Sequence, residues 1–207
     1  MKKIVLVILF GVFVLILLVG EISAVSQFKS DWEGVIEEKE PLLEEETIYL
    51  REEYELAVAY GNVGKIKKAN DIFDKLGDEE NWEEELEKVL AAYKVDLEEE
   101  PQNIKLLNYL GFSYYLEDEY EKAEELFHKI IELDPKNIWS YNYLAVLQHE
   151  QENYRQADKT LRESLKIEEN GYTYFLLGIN YYRRGNPFKA AYYVGKGREA
   201  RELFLGD

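Results

Sequence analysis

Of the side chains in this sequence that could do chemistry, the two histidines come first, because imidazole serves both metal binding and proton transfer near neutral pH. His149 is followed by Glu150, the opening of a His-Glu-two spacers-His pattern in which two imidazoles one helical turn apart hold zinc. The residue that should complete it is Asn153, so the pattern lacks a ligand and fails. His128 is the only other histidine and there is no cysteine, which excludes an imidazole-rich metal site, thiolate ligands, disulfides and a thiol nucleophile. Gly195, Gly197 and Ala200 have the spacing of a dinucleotide-binding turn, but that turn must follow a strand and open a helix. Here they fall inside a helical stretch, where glycines imply close packing or flexibility. Carboxylates recur in runs such as Glu44 to Glu46, Glu83 to Glu85 and Glu98 to Glu100. Such runs are solvated faces by default, and no glutamate is singled out as the buried carboxyl that a general acid requires. The expectation is no catalytic residue, no cofactor and no metal.

The elements that carry these residues follow from composition and periodicity. Across 207 residues, 42 acidic side chains face 25 basic ones, for a formal net charge of -17. That balance argues against nucleic acid as a partner, since phosphate binding depends on clustered Lys and Arg. Lys2 and Lys3 precede Ile4 to Gly20, an apolar run of seventeen residues ended by Glu21. As a helix it reaches roughly 25 Å, the short end of what spans a hydrocarbon core of about 30 Å. Its length, and Ile22 where a cleavage site wants a small residue, favour an uncleaved anchor over residues 1–25 rather than a removed signal peptide. The positive-inside rule then leaves Lys2 and Lys3 in the cytoplasm and the rest of the chain across the membrane, with a secreted form as the alternative.

Residues 21–46 hold nine acids against two lysines, and 26–46 read as an acidic linker. Ser30 and Glu33 suit the start of a short helix around Trp32. From residue 47 onward apolar residues recur at helical spacing, with turns at Gly61 to Gly64, Gly77, Pro101, Pro135, Gly171 and Gly185 to Pro187.

A repeat is visible in this stretch. From Ile104 the chain places Leu107, Leu110, Gly111, Tyr114, Ala123, Phe127 and Pro135 at positions 4, 7, 8, 11, 20, 24 and 32 of a unit. A second unit from Ile138 has Tyr141, Leu144, Ala145, Ala157 and Leu161 at matching positions, but Gln148 and Glu169 depart from the pattern. A third from Gly171 has Tyr174, Leu177, Gly178, Tyr181, Ala190 and Val194. The three units resemble the tetratricopeptide repeat (TPR). Upstream, Leu56, Ala57, Tyr60, Ala69 and Phe73 fit a degenerate unit over 50–80, and 81–100 reads as an extra helix before units 104–137, 138–170 and 171–207. The expected fold is all-α, a TPR helix-hairpin solenoid forming a right-handed superhelix, with an N-terminal transmembrane helix. Small residues at positions 8 and 20 let paired helices approach, so Gly111, Ala123, Ala145, Ala157, Gly178 and Ala190 are packing residues.

The resemblance implies a concave face lined by the first helix of each unit, at positions 2, 5, 6, 9, 12 and 13. In the first unit these are Lys105, Asn108, Tyr109, Phe112, Tyr115 and Leu116; in the second, Trp139, Asn142, Tyr143, Val146, His149 and Glu150. In the third they are Tyr172, Phe175, Leu176, Ile179, Tyr182 and Arg183. The aromatics point to a protein-binding groove through Asn108, Tyr109, Phe112, Tyr115, Trp139, Asn142, Tyr143, Tyr172, Phe175, Tyr182 and Arg183. Tyr141 is expected to pack between hairpins while Tyr143 faces the groove. The Lys and Asn set by which some TPR domains clamp a carboxylate is missing, with Asn108, Phe112, Tyr143, Tyr172 and Leu176 in its places. The expectation is a membrane-tethered adaptor or assembly factor that binds a protein or peptide. Self-association through the C-terminal helix is a further expectation, because residues 47–103 carry 16 acids against 7 bases whereas the last unit is basic.

Overall fold

The computed structural model describes residues 31–44 and 48–197, and among these every regular element is helical. Helix α1 covers residues 31–39 and runs into a 3-10 turn at Glu40–Glu44. Then follow α2 (Leu50–Asn62), α3 (Ile66–Gly77), α4 (Trp82–Glu99), α5 (Ile104–Leu116) and α6 (Tyr120–Leu133). The chain continues through α7 (Ile138–Glu150), α8 (Tyr154–Ile167), α9 (Gly171–Arg183) and α10 (Pro187–Lys196).

The hairpins α5–α6, α7–α8 and α9–α10 are built alike because the same local chemistry starts and turns each one. Asn103, Asn137 and Asn170 precede the first helices, and each side-chain oxygen accepts from two backbone N–H groups of the first turn. In each hairpin turn a backbone N–H reaches back across the helix end: Glu119 to Tyr114 (2.8 Å), Asn153 to Gln148 (2.7 Å) and Asn186 to Tyr181 (3.0 Å). This closure puts one residue in the left-handed region, at Asp118, Glu152 and Gly185. The α2–α3 turn repeats it, with Lys65 N–H on Tyr60 O at 2.9 Å and Gly64 at φ 79°.

Packing within hairpins uses the small residues as expected. A Cβ on Gly111 would stand 3.1 Å from the Phe127 ring, and one on Gly178 would stand 2.5 Å from a Val194 methyl. Gly197 marks another close approach, since a Cβ there would meet the Gly171 carbonyl oxygen at 2.5 Å. Successive hairpins stack through α6 on α7 and α8 on α9, and α4 packs on α5 in the corresponding slot. Leu107, Phe127, Leu147, Leu161 and Leu177 are fully buried between the layers, and each such side chain contributes about 1.5–3 kcal/mol.

Two expectations for the N-terminal part change. Within the expected acidic spacer, α1 folds onto the core: Trp32 is buried against Tyr109 (ring centroids 5.8 Å apart), Val35 and Ile36 are buried beside it, and Lys39 pairs with Glu55 at 2.9 Å. The apolar side of a helix turn outweighs its acidic composition, because the acids Asp31, Glu33, Glu37 and Glu38 all lie on the exposed side. The second change is a correction of the single-pass membrane placement. Among the described residues no helix is long and apolar enough to cross a membrane, and the longest, α4, alternates apolar residues with charges throughout. The apolar run 4–20 itself lies outside the described residues.

Candidate functional site: the concave face

The site is built by α5, α7 and α9 on one side and by α3 on the other. Helix α3 carries Ile66, Ala69, Ile72, Phe73 and Leu76 at three- and four-residue steps, the spacing of a single apolar stripe. That stripe packs on α2 and reaches across to the array, where Phe73 stacks on Phe112 with ring centroids 6.2 Å apart. Between them lies a cleft of about 200 Å³. Its α3 side presents Ile66, Ala69, Asn70 and Phe73, and the opposite wall presents Phe112, Tyr115, Leu116, Tyr143, Val146 and Tyr172.

The wall is an aromatic chain held ring against ring. Phe112 meets Tyr143 edge-on at 4.6 Å, Tyr143 lies 6.4 Å from Trp139, and Trp139 lies 5.8 Å from Tyr172. The α2–α3 turn comes down on this chain, and two glycines make that possible. A Cβ on Gly61 would stand 2.8 Å from the Tyr143 hydroxyl oxygen, and one on Gly64 would stand 2.5 Å from the Trp139 ring. The cost is borne by Tyr143, whose hydroxyl is buried without a hydrogen-bond partner. Burial pushes the Tyr143 phenol well above its ordinary pKa, and Tyr115 and Tyr172 are raised for the same first reason. All three rings are therefore neutral at physiological pH, so the wall offers apolar surface and hydrogen bonds but no charge.

Beyond Val146 the face continues into a second cleft of about 190 Å³. It is lined by His149, Glu150, Leu176, Ile179, Asn180 and Arg183 among others. His149 is tied into the framework: its Nδ1 lies 3.2 Å from Asn180 Oδ1, and Asn180 donates to the Tyr154 carbonyl at 2.8 Å. Among the described residues no group of three or more His, Cys, Asp or Glu could hold a metal ion.

The structure sorts the sequence-derived groove residues into three sets. Phe112, Tyr115, Tyr143 and Tyr172 meet at the first cleft, with Trp139 beside it under the α2–α3 turn. Arg183 lines the second cleft, and Tyr182 is 71% exposed outside both. Asn108, Tyr109, Asn142 and Phe175 are buried and line neither cleft. Tyr109 is enclosed by Trp32, Tyr54 and Tyr93 from the N-terminal helices. Asn142 accepts from Thr173 (3.0 Å) and Ser164 (3.2 Å), knitting α7, α8 and α9 together. Tyr143 lines the first cleft but is buried there under the α2–α3 turn, whereas Tyr141, expected to pack between hairpins, is half-buried with its hydroxyl on the Pro135 carbonyl at 3.2 Å. The α3 wall was absent from the sequence reading, although its apolar stripe is plain in the residues.

The solved structure titled "Crystal structure of MamA" is similar at 17% identity and TM-score 0.50, covering 85% of this chain and 92% of that one. An MSR-1 form of MamA is similar at 17% identity and TM-score 0.47, covering 84% of this chain and 88% of that one. An AMB-1 form is similar at 18% identity and TM-score 0.47, covering 84% of each. The likeness is one of fold. No curated protein matches the sequence significantly. Residues 102–170, from the turn before α5 to the cap of α9, match the tetratricopeptide repeat family.

Proposed function

We propose that the chain is a protein-binding scaffold that holds an extended segment of a partner on its concave face, with one bulky apolar side chain anchored between α3 and the array. The observation that carries this reading is the aromatic cleft, of a size to take a single large side chain and only partly closed by the chain's own α3. From there Val146 leads to the second cleft, where Arg183 offers a cation to the partner's backbone or to an acidic side chain. Aromatic anchors in such settings commonly supply most of the binding energy.

Photo-crosslinking tests the reading. A photoreactive residue at Val146 should trap a partner protein that the same residue at exposed Glu121 does not. Tyr172→Ala should reduce the adduct at least about tenfold. Equal trapping at both positions, or an adduct indifferent to Tyr172→Ala, would overturn the groove assignment.

A further inference from the structure

The last hairpin breaks a pattern that the two before it keep. Positions 18 and 22 of the units, one helical turn apart on the second helix, are exposed in all three. They hold Glu121 and Glu125 in the first unit and Arg155 and Lys159 in the second, as water-facing positions should. In the third they hold Phe188 and Tyr192, which are 88% and 59% exposed. Residues 171–197 also contain four cations, Arg183, Arg184, Lys189 and Lys196, and no acid, within a chain of net charge -17. The edge of α10 is thus an aromatic pair in a basic setting.

The other end of the array carries its complement. A cleft of about 400 Å³ lies between α4 and the end of α5, floored by Trp82, Leu86, Leu90 and Leu116. Glu83, Glu87 and Glu117 stand around it and are exposed. Lys94 also reaches the cleft, but its ammonium sits over the Tyr114 ring, 5.3 Å from the centroid.

We propose that the chain associates head to tail with a second copy of itself, the Phe188–Tyr192 edge of one copy seating in the carboxylate-rimmed α4–α5 cleft of the next. Arg184 and Lys189 stand over the Tyr181 ring and Lys196 over that of Tyr174, so the hairpin's positive charge is held in place beside the exposed phenylalanine's helix. An exposed phenylalanine on such a basic hairpin fits a pocket with an apolar floor and an anionic rim, because ring burial and charge attraction then act together. The two surfaces are different patches at opposite ends of the α4–α10 array, so the contact is heterologous and leaves a free knob and a free pocket on every open assembly. The α4–α5 cleft shares Leu116 with the concave face, but Glu83, Glu87, Phe188 and Tyr192 line neither concave cleft, so substitutions there test the interface independently of the groove reading.

The test is sedimentation of the full chain in a mild non-ionic detergent that masks the apolar run 4–20. The mass of the wild-type protein should rise with concentration and fall with added salt, as charge pairs at a partly exposed interface are screened. Phe188→Glu should weaken association at least about tenfold, and the pair Glu83→Lys with Glu87→Lys should do the same, with circular dichroism unchanged for both. Mixing the two variants decides the geometry. One keeps its pocket and the other its knob, so the mixture should form a heterodimer and nothing larger. A wild-type mass independent of concentration overturns the proposal, as does association that survives Phe188→Glu, or a mixture that stays monomeric. Loss of binding to anionic lipid vesicles by Phe188→Glu, without any change in self-association, assigns the patch to a lipid surface and overturns it equally.

Discussion

The two ends of the molecule bury polar groups in opposite ways. Around α2 the core encloses carboxylates. Glu55 accepts from the Tyr93 hydroxyl and pairs with Lys39 and Arg51, each at 2.9 Å, while buried Glu53 pairs with Lys75. Around α7 to α9 the buried groups are neutral amides and hydroxyls. Asn142 joins Ser164 and Thr173, and Gln148 accepts from Thr160 at 2.8 Å. The difference tracks regularity. Where units stack in register, neighbouring helices lie close enough for short neutral side chains to bridge them, as Asn142 does to Ser164 and Thr173. Where α1, α3 and α4 meet α2 outside the repeat register, long charged side chains bridge between elements of unequal spacing.

Removing one charged partner should therefore cost more than removing one neutral one. Glu55→Ala leaves Lys39 and Arg51 without their carboxylate in a part-buried site and should lose about 3–5 kcal/mol of stability. Asn142→Ala removes the acceptor that two buried hydroxyls share, leaving them only longer contacts with the Ile138 carbonyl and with each other, and should lose about 1–3 kcal/mol. Chemical denaturation of both variants measures the gap, and equal losses would erase the contrast.

At the seam where the two regions meet, Tyr143→Ala should cost about 3–5 kcal/mol, because its ring is packed on both sides. Tyr141→Ala, half-exposed, should cost about 1 kcal/mol. Tyr143→Phe sharpens the point: it discards a hydroxyl that has no partner and should leave melting unchanged or raise it. A fall in melting temperature for Tyr143→Phe would mean that the hydroxyl is bonded after all.

Gly64 and Gly185 occupy the same place in their turns, at φ 79° and 72°, but only Gly64 lies on a ring of another element. Alanine at Gly185 should cost the left-handed penalty alone, about 1–2 kcal/mol. Alanine at Gly64 adds displacement of Trp139, and the loss should exceed that of Gly185→Ala by about 1 kcal/mol or more. Equal melting temperatures would show that the turn does not rest on Trp139.

The smallest effect is that of acid. Burial raises the Glu55 carboxyl, but the bonds from Tyr93, Arg51 and Lys39 outweigh it and hold its pKa below the ordinary carboxylate range. A carboxylate lowered on folding contributes stability in full above its unfolded value, about 4.3, and loses it as pH falls through the folded value. Amide exchange in α2 should accelerate relative to α9 as pH drops below about 4 after correction for intrinsic rates. A uniform change along the chain would mean that the carboxylates are not the cause.

The repeat register was readable from residues 104 to 197 because packing there is local: Gly111 against Phe127 and Gly178 against Val194 each join neighbouring helices. The Asn caps at 103, 137 and 170 fall one unit apart and carry the same register in the turns. The candidate site was only half readable. A position in the unit says which side chains face inward, but not whether some distant segment covers them. Thus Tyr109 and Tyr143, expected to face solvent, lie under α1, α2 and the α2–α3 turn. Contacts across such separations leave no periodic trace in a single sequence, and the run of acids around Trp32 masked the apolar side of α1.

The docking of the α2–α3 turn on Trp139 has a consequence in time. On a ribosome adding about 5–20 residues per second, roughly 75 residues separate Gly64 from its seat, so the hairpin is made about 4–15 s before the surface that receives it. Through that interval the Gly64 turn has water or another protein where the Trp139 ring will lie, although Phe73 already packs with α2 and gains Phe112 earlier. The α2–α3 turn thus waits for a surface made long after it, and through that interval the nascent chain is open to capture by chaperones at that turn.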